Sequence, residues 1–260
     1  MRRLLRLVTL DQWEALERDY PVDASPTASH RNKVLGLYLL AALVLFSNQF
    51  LWKDTWGLWV PETIREGPDR KLFRRMYWSW FISFCYVVPP LVYAKYVLRL
   101  GLADLGLSTR GFVKHLWLYG LGLAIVLPLV FLVSDQPHFL KTYPFYKDAA
   151  RDWVTLLSWE VSYALQFMAL EFFFRGFLLF GAVRLLGPWV IPAMVLPYMM
   201  IHWSKPELEC LGSIIAGVAL GVVALRTRAI YAGMIVHIGV AWSMDLLALW
   251  HKGKIQELLG

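Results

Sequence analysis

The sequence has little cysteine and little charge. Only two cysteines, Cys85 and Cys210, occur in 260 residues, which is too few for a disulfide framework or a cysteine-based metal site. Charged residues make up 17% of the chain, against about 25% in an average soluble domain. No internal repeat or low-complexity tract is visible. The sequence therefore excludes a disulfide-stapled scaffold and a repeat protein.

A concentrated basic patch is also missing, although the net charge is +7. The lysines and arginines are scattered between apolar segments, so we expect anionic lipid headgroups, and no nucleic acid, as the partner. Counted on the two sides of the predicted spans, they are equal in number and give no membrane orientation. The N-terminus has a basic start but too short an apolar stretch for a signal peptide.

Long apolar runs dominate the chain, and hydrophobic residues make up 58% of it. A membrane-spanning helix needs roughly 20 apolar residues to cross about 30 Å of hydrocarbon. Residues 34–52, 76–94 and 116–134 meet this requirement without a single charge. The sequence therefore predicts an all-α polytopic membrane bundle of about seven helices. The predicted spans are 34–52, 76–97, 115–134, 153–183, 188–203, 208–225 and 229–250.

The N-terminal 20 residues alternate basic and apolar positions at helical spacing, which predicts an amphipathic interfacial helix. A partly ordered tail is the alternative. We expect an N-terminal segment at 1–33, a three-helix scaffold at 34–134 and a four-helix core with the site at 150–250. The apolar positions of the predicted helix are Leu4, Leu5, Leu7, Leu10, Trp13 and Leu16.

Ionisable residues within the predicted spans concentrate in the C-terminal half, and such residues usually face a bundle interior. Glu171 and Arg175 are four residues apart and share a helix face. Glu160, eleven residues earlier, lies about 20° from the same face at 100° per residue. This pattern predicts a polar stripe that can supply a general base. An ion pair that only locks the bundle is the alternative.

Two histidines fall in other predicted spans, His202 at a span end and His237 in mid-span. Two histidines and Glu171 are an acceptable ligand set for zinc with one open position. They are equally acceptable for activating water without a metal, so the cofactor is either absent or zinc. Asp245 and Glu209 are candidate supporting carboxylates, although Glu209 follows Pro206 and is typical of a helix start at the surface.

Small residues recur every four positions in the last two predicted spans, which predicts close helix packing. In the seventh span this packing would hold the side chain of His237 in a fixed position. The two ridges are Ser213, Gly217 and Gly221, and Gly233, His237, Ala241 and Asp245.

Three motifs, in this order, resemble the CPBP family of type II CAAX prenyl endopeptidases and bacteriocin-processing relatives. They are Glu171-xxx-Arg175-Gly176, Tyr198-xxx-His202, and His237 after a glycine-rich span. The resemblance covers roughly residues 100–250, including a Leu-Gly-Leu element at 105–107. It implies an intramembrane endopeptidase of a bacterial inner membrane, with these two histidines and the Glu–Arg pair in the site and a protein or peptide substrate entering from the bilayer.

Two positions depart from the family pattern. Leu170 replaces the first glutamate of the pair, which is usually taken as the base, and Ala241 replaces the Asn or Asp expected after His237. Either Glu171 takes over as base, another carboxylate supplies it, or peptidase activity is lost. The alternatives to a peptidase are a non-catalytic binding or immunity protein that keeps the pocket, and a small transporter, which would normally show related halves.

Overall fold

The structure, a computed structural model that describes residues 10–110 and 112–259, is built from helices, with no strand in that part of the chain. Within the described residues, six helices are long and apolar enough to cross a membrane. The predicted all-helical membrane architecture is confirmed, and the chain is an integral membrane protein. The six are Ala28–Trp59, Arg70–Leu98, Phe112–Val133, Trp153–Met200, Glu207–Thr227 and Tyr231–His251.

Shorter elements connect and interrupt these helices. A π-helix at Ala94–Leu98 continues the α-helix Arg70–Tyr93. Another at Phe172–Leu179 joins the α-helices Trp153–Glu171 and Phe180–Leu186. Short 3-10 turns lie at Ala149–Arg151 and Gly187–Trp189. The α-helices are α1 (Leu10–Asp19), α2 (Ala28–Trp59), α3 (Glu62–Arg65), α4 (Arg70–Tyr93), α5 (Phe112–Val133), α6 (Pro137–Thr142), α7 (Trp153–Glu171), α8 (Phe180–Leu186), α9 (Val190–Met200), α10 (Glu207–Thr227), α11 (Tyr231–His251) and α12 (Lys254–Leu259).

The structure has six candidate spans where about seven were expected, because the expected spans at 153–183 and 188–203 correspond to one segment, Trp153–Met200. Within it, Gly187 adopts φ +56°, a left-handed conformation that glycine tolerates best, and its 3-10 turn separates α8 from α9. With eleven residues, α9 is about 16 Å long at 1.5 Å per residue. That is too short to cross the hydrocarbon alone.

The predicted N-terminal helix is present as α1. Its Leu16 is completely buried and Trp13 packs edge-on against Trp189, with ring centroids 5.4 Å apart. Asp19 accepts a hydrogen bond from Arg226 Nη1 at 2.7 Å. These contacts hold α1 against the protein. Leu4, Leu5 and Leu7 of the predicted helix lie outside the described residues.

The chain forms two compact units, each assembled from three stretches. The first unit contains residues up to 43, 87–116 and 171–233, and the second contains 44–86, 117–170 and 234–260. In the core of the second unit, Trp159 stacks on Tyr163 with ring centroids 4.9 Å apart.

A tight turn before α5 anchors the first unit. Gly106 has φ +77°, and a Cβ there would lie 2.6 Å from the Phe180 ring. Its carbonyl accepts a hydrogen bond from the Ile230 N–H at 3.1 Å, and the Leu107 carbonyl accepts one from Tyr231 Oη at 3.1 Å. The Leu-Gly-Leu element thus ties the segment before α5 to the start of α11.

Candidate active site

A buried ion pair lies in the first unit at the junction of α7 with the π-helix. Glu171 ends α7, and Arg175 lies within the π-helical segment. Arg175 Nη1 donates to Glu171 Oε1 at 2.8 Å, and both residues are completely buried. Burying two charges is costly, and losing one partner of such a pair costs about 3–5 kcal/mol. The predicted pairing of these two residues is therefore present, in a setting where each requires the other.

Tyr198 of α9 completes the surroundings of the arginine. The Arg175 guanidinium carbon lies 4.3 Å from the centre of the Tyr198 ring, and that ring meets Phe174 edge-on at 5.2 Å. The ring face attracts the cation. Within the described residues, Arg175 Nε and Nη2 have no hydrogen-bond acceptor. The arginine therefore keeps buried donors that can bind a further polar group.

Gly233 of α11 lies directly against the carboxylate of Glu171. A Cβ built on Gly233 would overlap with Glu171 Oε2. Real side-chain carbons do not approach an oxygen so closely, so only glycine fits while Glu171 keeps this position. The sequence predicted small residues here for helix packing, but it did not reveal that the neighbour is the carboxylate.

Glycine in α10 has a similar role for Tyr198. A Cβ on Gly217 would lie 3.2 Å from Tyr198 Cδ1 and 2.9 Å from Val195 Cγ2. The close packing predicted for the ridge of Ser213, Gly217 and Gly221 is confirmed at this residue.

His202 follows α9 and is oriented by the same tyrosine. Its Nδ1 lies 2.8 Å from the Tyr198 carbonyl oxygen, and the two rings are 4.8 Å apart. A carbonyl only accepts, so Nδ1 carries the proton, and in the neutral ring Nε2 carries the lone pair. A histidine held in this way can accept a proton or bind a metal through Nε2.

His237 belongs to the second unit, unlike Glu171, Arg175 and His202. Its ring is stacked on Phe167, with centroids 5.7 Å apart and planes 10° from parallel. Phe167 thus fixes the ring plane of the histidine within that unit. The sequence contained both residues but gave no sign that they stack.

The two carboxylates of the second unit differ in their surroundings. Asp245 is completely buried and accepts hydrogen bonds from the Phe145 N–H at 2.8 Å and from Trp159 Nε1 at 3.0 Å. Glu160 is 7% exposed, and neither of its carboxyl oxygens has a hydrogen-bond partner in the described part of the protein. Asp245 therefore connects the loop before α7 to α7 and α11, whereas Glu160 has no such structural bonds.

Glu209 lies in the first turn of α10, the helix-start position expected from Pro206. It pairs with Lys205 at 3.5 Å, and both side chains are about one-fifth exposed. This pair is typical of a helix end near the surface.

Across residues 10–110 and 112–259, no group of three or more His, Cys, Asp or Glu residues is placed to hold a metal ion. The choice between zinc and no metal stays a prediction from the sequence, and no chemical step is routed through a metal below.

The fold and the ion pair together show an integral membrane protein with a carboxylate and a guanidinium buried in its helices. A family model described as type II CAAX prenyl endopeptidase Rce1-like matches residues 152–243. The resemblance to this family is therefore confirmed over the segment from α7 into α11. No curated protein and no solved structure matches the chain.

Proposed function

We propose that the chain is an intramembrane endopeptidase that hydrolyses a peptide bond of a membrane-associated protein. The observation that supports this most is the buried Glu171–Arg175 pair, which includes a carboxylate held by a cation and guanidinium donors without an acceptor. A π-helical segment at a functional site is a common arrangement. The match to an endopeptidase family model over residues 152–243 agrees with this chemistry.

In the proposed reaction, Glu171 accepts a proton from water while the water oxygen bonds to the peptide carbonyl carbon. The unused Arg175 N–H groups stabilise the negative charge that develops on the carbonyl oxygen. The protonated Glu171 then donates its proton to the departing amine nitrogen as the C–N bond breaks. His202 Nε2 is suited to hold the water by accepting its second hydrogen.

Substrate must reach a carboxylate that exposes none of its surface in the structure. Gly233 presses its backbone against that carboxylate. Access therefore requires the start of α11 to move away from Glu171. This movement has to take place as a substrate segment enters from the bilayer.

The family resemblance matches the family's second histidine to His237. The ring of His237 is stacked on Phe167, which fixes its plane. We propose a role for His237 on the resemblance alone, and we test it by a separate variant.

One observation favours a second function, that of a non-catalytic binding or immunity protein. Leu170 occupies the position of the family's first glutamate, and its side chain is buried, with 5% exposed. A leucine transfers no proton, so this function requires that Glu171 was kept only for its ion pair.

The test compares cleavage of candidate membrane-protein substrates by the full chain in lipid nanodiscs. Glu171→Gln keeps the shape of the side chain but removes the base, so we expect cleavage to fall about 10²–10⁴-fold. His202→Ala and His237→Ala are measured beside it, and Glu207→Gln, an exposed residue of α10, is the matched control.

Equal cleavage by the wild type and Glu171→Gln would contradict the proposed base. If the wild type cleaves nothing while Leu170→Glu does, the non-catalytic function is favoured. These outcomes are distinct, because only the second one gains activity from a restored carboxylate.

A further inference from the structure

A cavity of about 260 Å³ lies in the first unit, where α2 begins and α8 ends. One part of its wall is polar and basic. The polar side chains that line it are Thr27, Ser29, His30, Lys33 and Arg184. None of these residues belongs to the proposed active site, and the peptidase proposal gives them no role.

The charges around this cavity are unbalanced. Lys33 and Arg184 are two cations in its wall, and no carboxylate from residues 10–110 or 112–259 lines it. Among the described residues, neither of these two side chains forms an ion pair with an acid. The nearby Asp23 lies 3.4 Å from His30 Nδ1, and it also accepts the Ser25 N–H at 3.1 Å. An anion in the cavity would balance Lys33 and Arg184.

The amino end of α2 adds to the attraction for an anion. The first-turn N–H groups of a helix have no intrahelical acceptor, and the helix dipole favours negative charge there. Thr27 Oγ1 accepts the His30 N–H at 3.2 Å, and no acidic residue occurs in the first turn of α2. Phosphate groups commonly bind at helix ends of this kind.

The remaining wall is apolar, which indicates an amphiphilic ligand. Leu98, Leu100 and Phe180 line this part of the cavity. The cavity thus combines cationic side chains with an apolar wall.

We propose that this cavity binds the phosphate group of a phospholipid. Lys33 and Arg184 pair with the phosphate oxygens, the amino end of α2 donates to them, and the apolar wall of Leu98, Leu100 and Phe180 receives the start of an acyl chain. A soluble phosphate compound would satisfy the same polar groups, but it would make no use of the apolar wall.

The test measures ligand retention by native mass spectrometry on the full chain in nonionic detergent. The probes are dioctanoyl phosphatidic acid, dioctanoylglycerol (which lacks the phosphate) and inorganic phosphate. Lys33→Gln/Arg184→Gln is compared with Arg31→Gln/Arg110→Gln. The control removes the same charge from two exposed residues that do not line the cavity.

Each cation near a membrane surface contributes about 1 kcal/mol, so losing two should weaken phosphatidic acid binding about thirtyfold. We expect the wild type and the control to bind phosphatidic acid equally well and dioctanoylglycerol far less. If the double variant does not fold, Arg184→Gln alone should bind about fivefold more weakly than Arg31→Gln.

Equal binding of phosphatidic acid by the cavity variant and the control would overturn the proposal. If inorganic phosphate binds the wild type as tightly as phosphatidic acid does, and the cavity variant loses both, the phosphate site is supported but its assignment to a lipid is overturned.

Discussion

Among the residues that the structure describes, two carboxylates are completely buried, Glu171 in the first unit and Asp245 in the second. Asp245 accepts from two neutral donors, a backbone N–H and an indole N–H. Glu171 is held by a charged donor, Arg175, which keeps further N–H groups without acceptors. The two carboxylates thus differ in the charge of their hydrogen-bond donors. They also differ in that the donor to Glu171 has further N–H groups without acceptors.

Under the proposed function, this difference separates a structural role for Asp245 from a chemical one for Glu171. Asp245 joins three segments of the second unit through its hydrogen bonds. The Glu171 site contains a buried charge pair, which seldom stabilises a protein more than apolar residues of the same volume would. A buried pair beside guanidinium donors without acceptors therefore fits the proposed chemistry better than a purely stabilising role.

A large expected effect on stability comes from removing the cation. Arg175→Met leaves the Glu171 carboxylate buried without its partner, which should cost about 3–5 kcal/mol. Thermal unfolding of the purified protein in detergent measures this, with Arg31→Met, exposed on α2, as the control. Arg175→Lys should be intermediate, because lysine keeps the charge but loses the planar contact with Tyr198. A wild-type Tm for Arg175→Met would contradict the charge pairing.

Removing the second carboxylate should affect stability but not chemistry. Asp245→Ala leaves the Phe145 N–H and Trp159 Nε1 without this acceptor, at about 1–3 kcal/mol for each donor. We expect a lower Tm, while cleavage per folded molecule, measured at a temperature where the variant is folded, stays at the wild-type level. Loss of cleavage without loss of stability would instead make Asp245 part of the chemistry, and the contrast with Glu171 would fail.

The contact between Gly233 and Glu171 allows a steric test of the same contrast. Gly233→Ala places a methyl group where Glu171 Oε2 lies, so the carboxylate or α11 must shift. Overpacking of this kind lowers the free energy of unfolding by about 1–3 kcal/mol. We expect the cleavage rate to fall even at a temperature where the variant is fully folded. Gly212→Ala in α10 is the matched control, since its Cβ would meet nothing within 4 Å. Identical cleavage by the two variants would show that the position of Glu171 is not critical.

The smallest expected effect concerns Asp152, a carboxylate outside the spans. It caps α7 by accepting the Thr155 N–H at 2.7 Å and Arg151 Nε at 2.9 Å. The Thr155 backbone N–H and then the Arg151 guanidinium lower the pKa of Asp152 to about 2, from an ordinary value of 3.8. Because the folded-state pKa is the lower one, this group stabilises the fold above pH 3.8 and loses that contribution as the pH falls to about 2.

Asp152→Asn keeps a capping side chain but removes the titration. Unfolding measured between pH 5 and pH 2 should therefore show a shallower fall in Tm for the variant than for the wild type. Parallel curves would mean that this carboxylate does not contribute through its charge.

Much of the architecture could be predicted from the sequence, because the length of the apolar runs and their lack of charged residues can be read directly from it. The expected spans at 153–183 and 188–203 correspond to one segment, Trp153–Met200, and hydropathy alone does not show that α9 is only eleven residues long. The pairing of Glu171 with Arg175 followed from their spacing. The stacking of Arg175 on Tyr198, and of His237 on Phe167, depends on how separate segments pack, which single-sequence periodicity does not contain.

The π-helix at Phe172–Leu179 has a consequence for comparing this chain with its relatives. A π-helical turn accommodates about one residue more than an α-helical turn, so residues after it are rotated by roughly 100° relative to an uninterrupted α-helix. A relative that is α-helical throughout this segment would present the same faces with one residue fewer. An alignment that allows no gap between Arg175 and Gly187 would then pair inward-facing residues of one protein with outward-facing residues of the other.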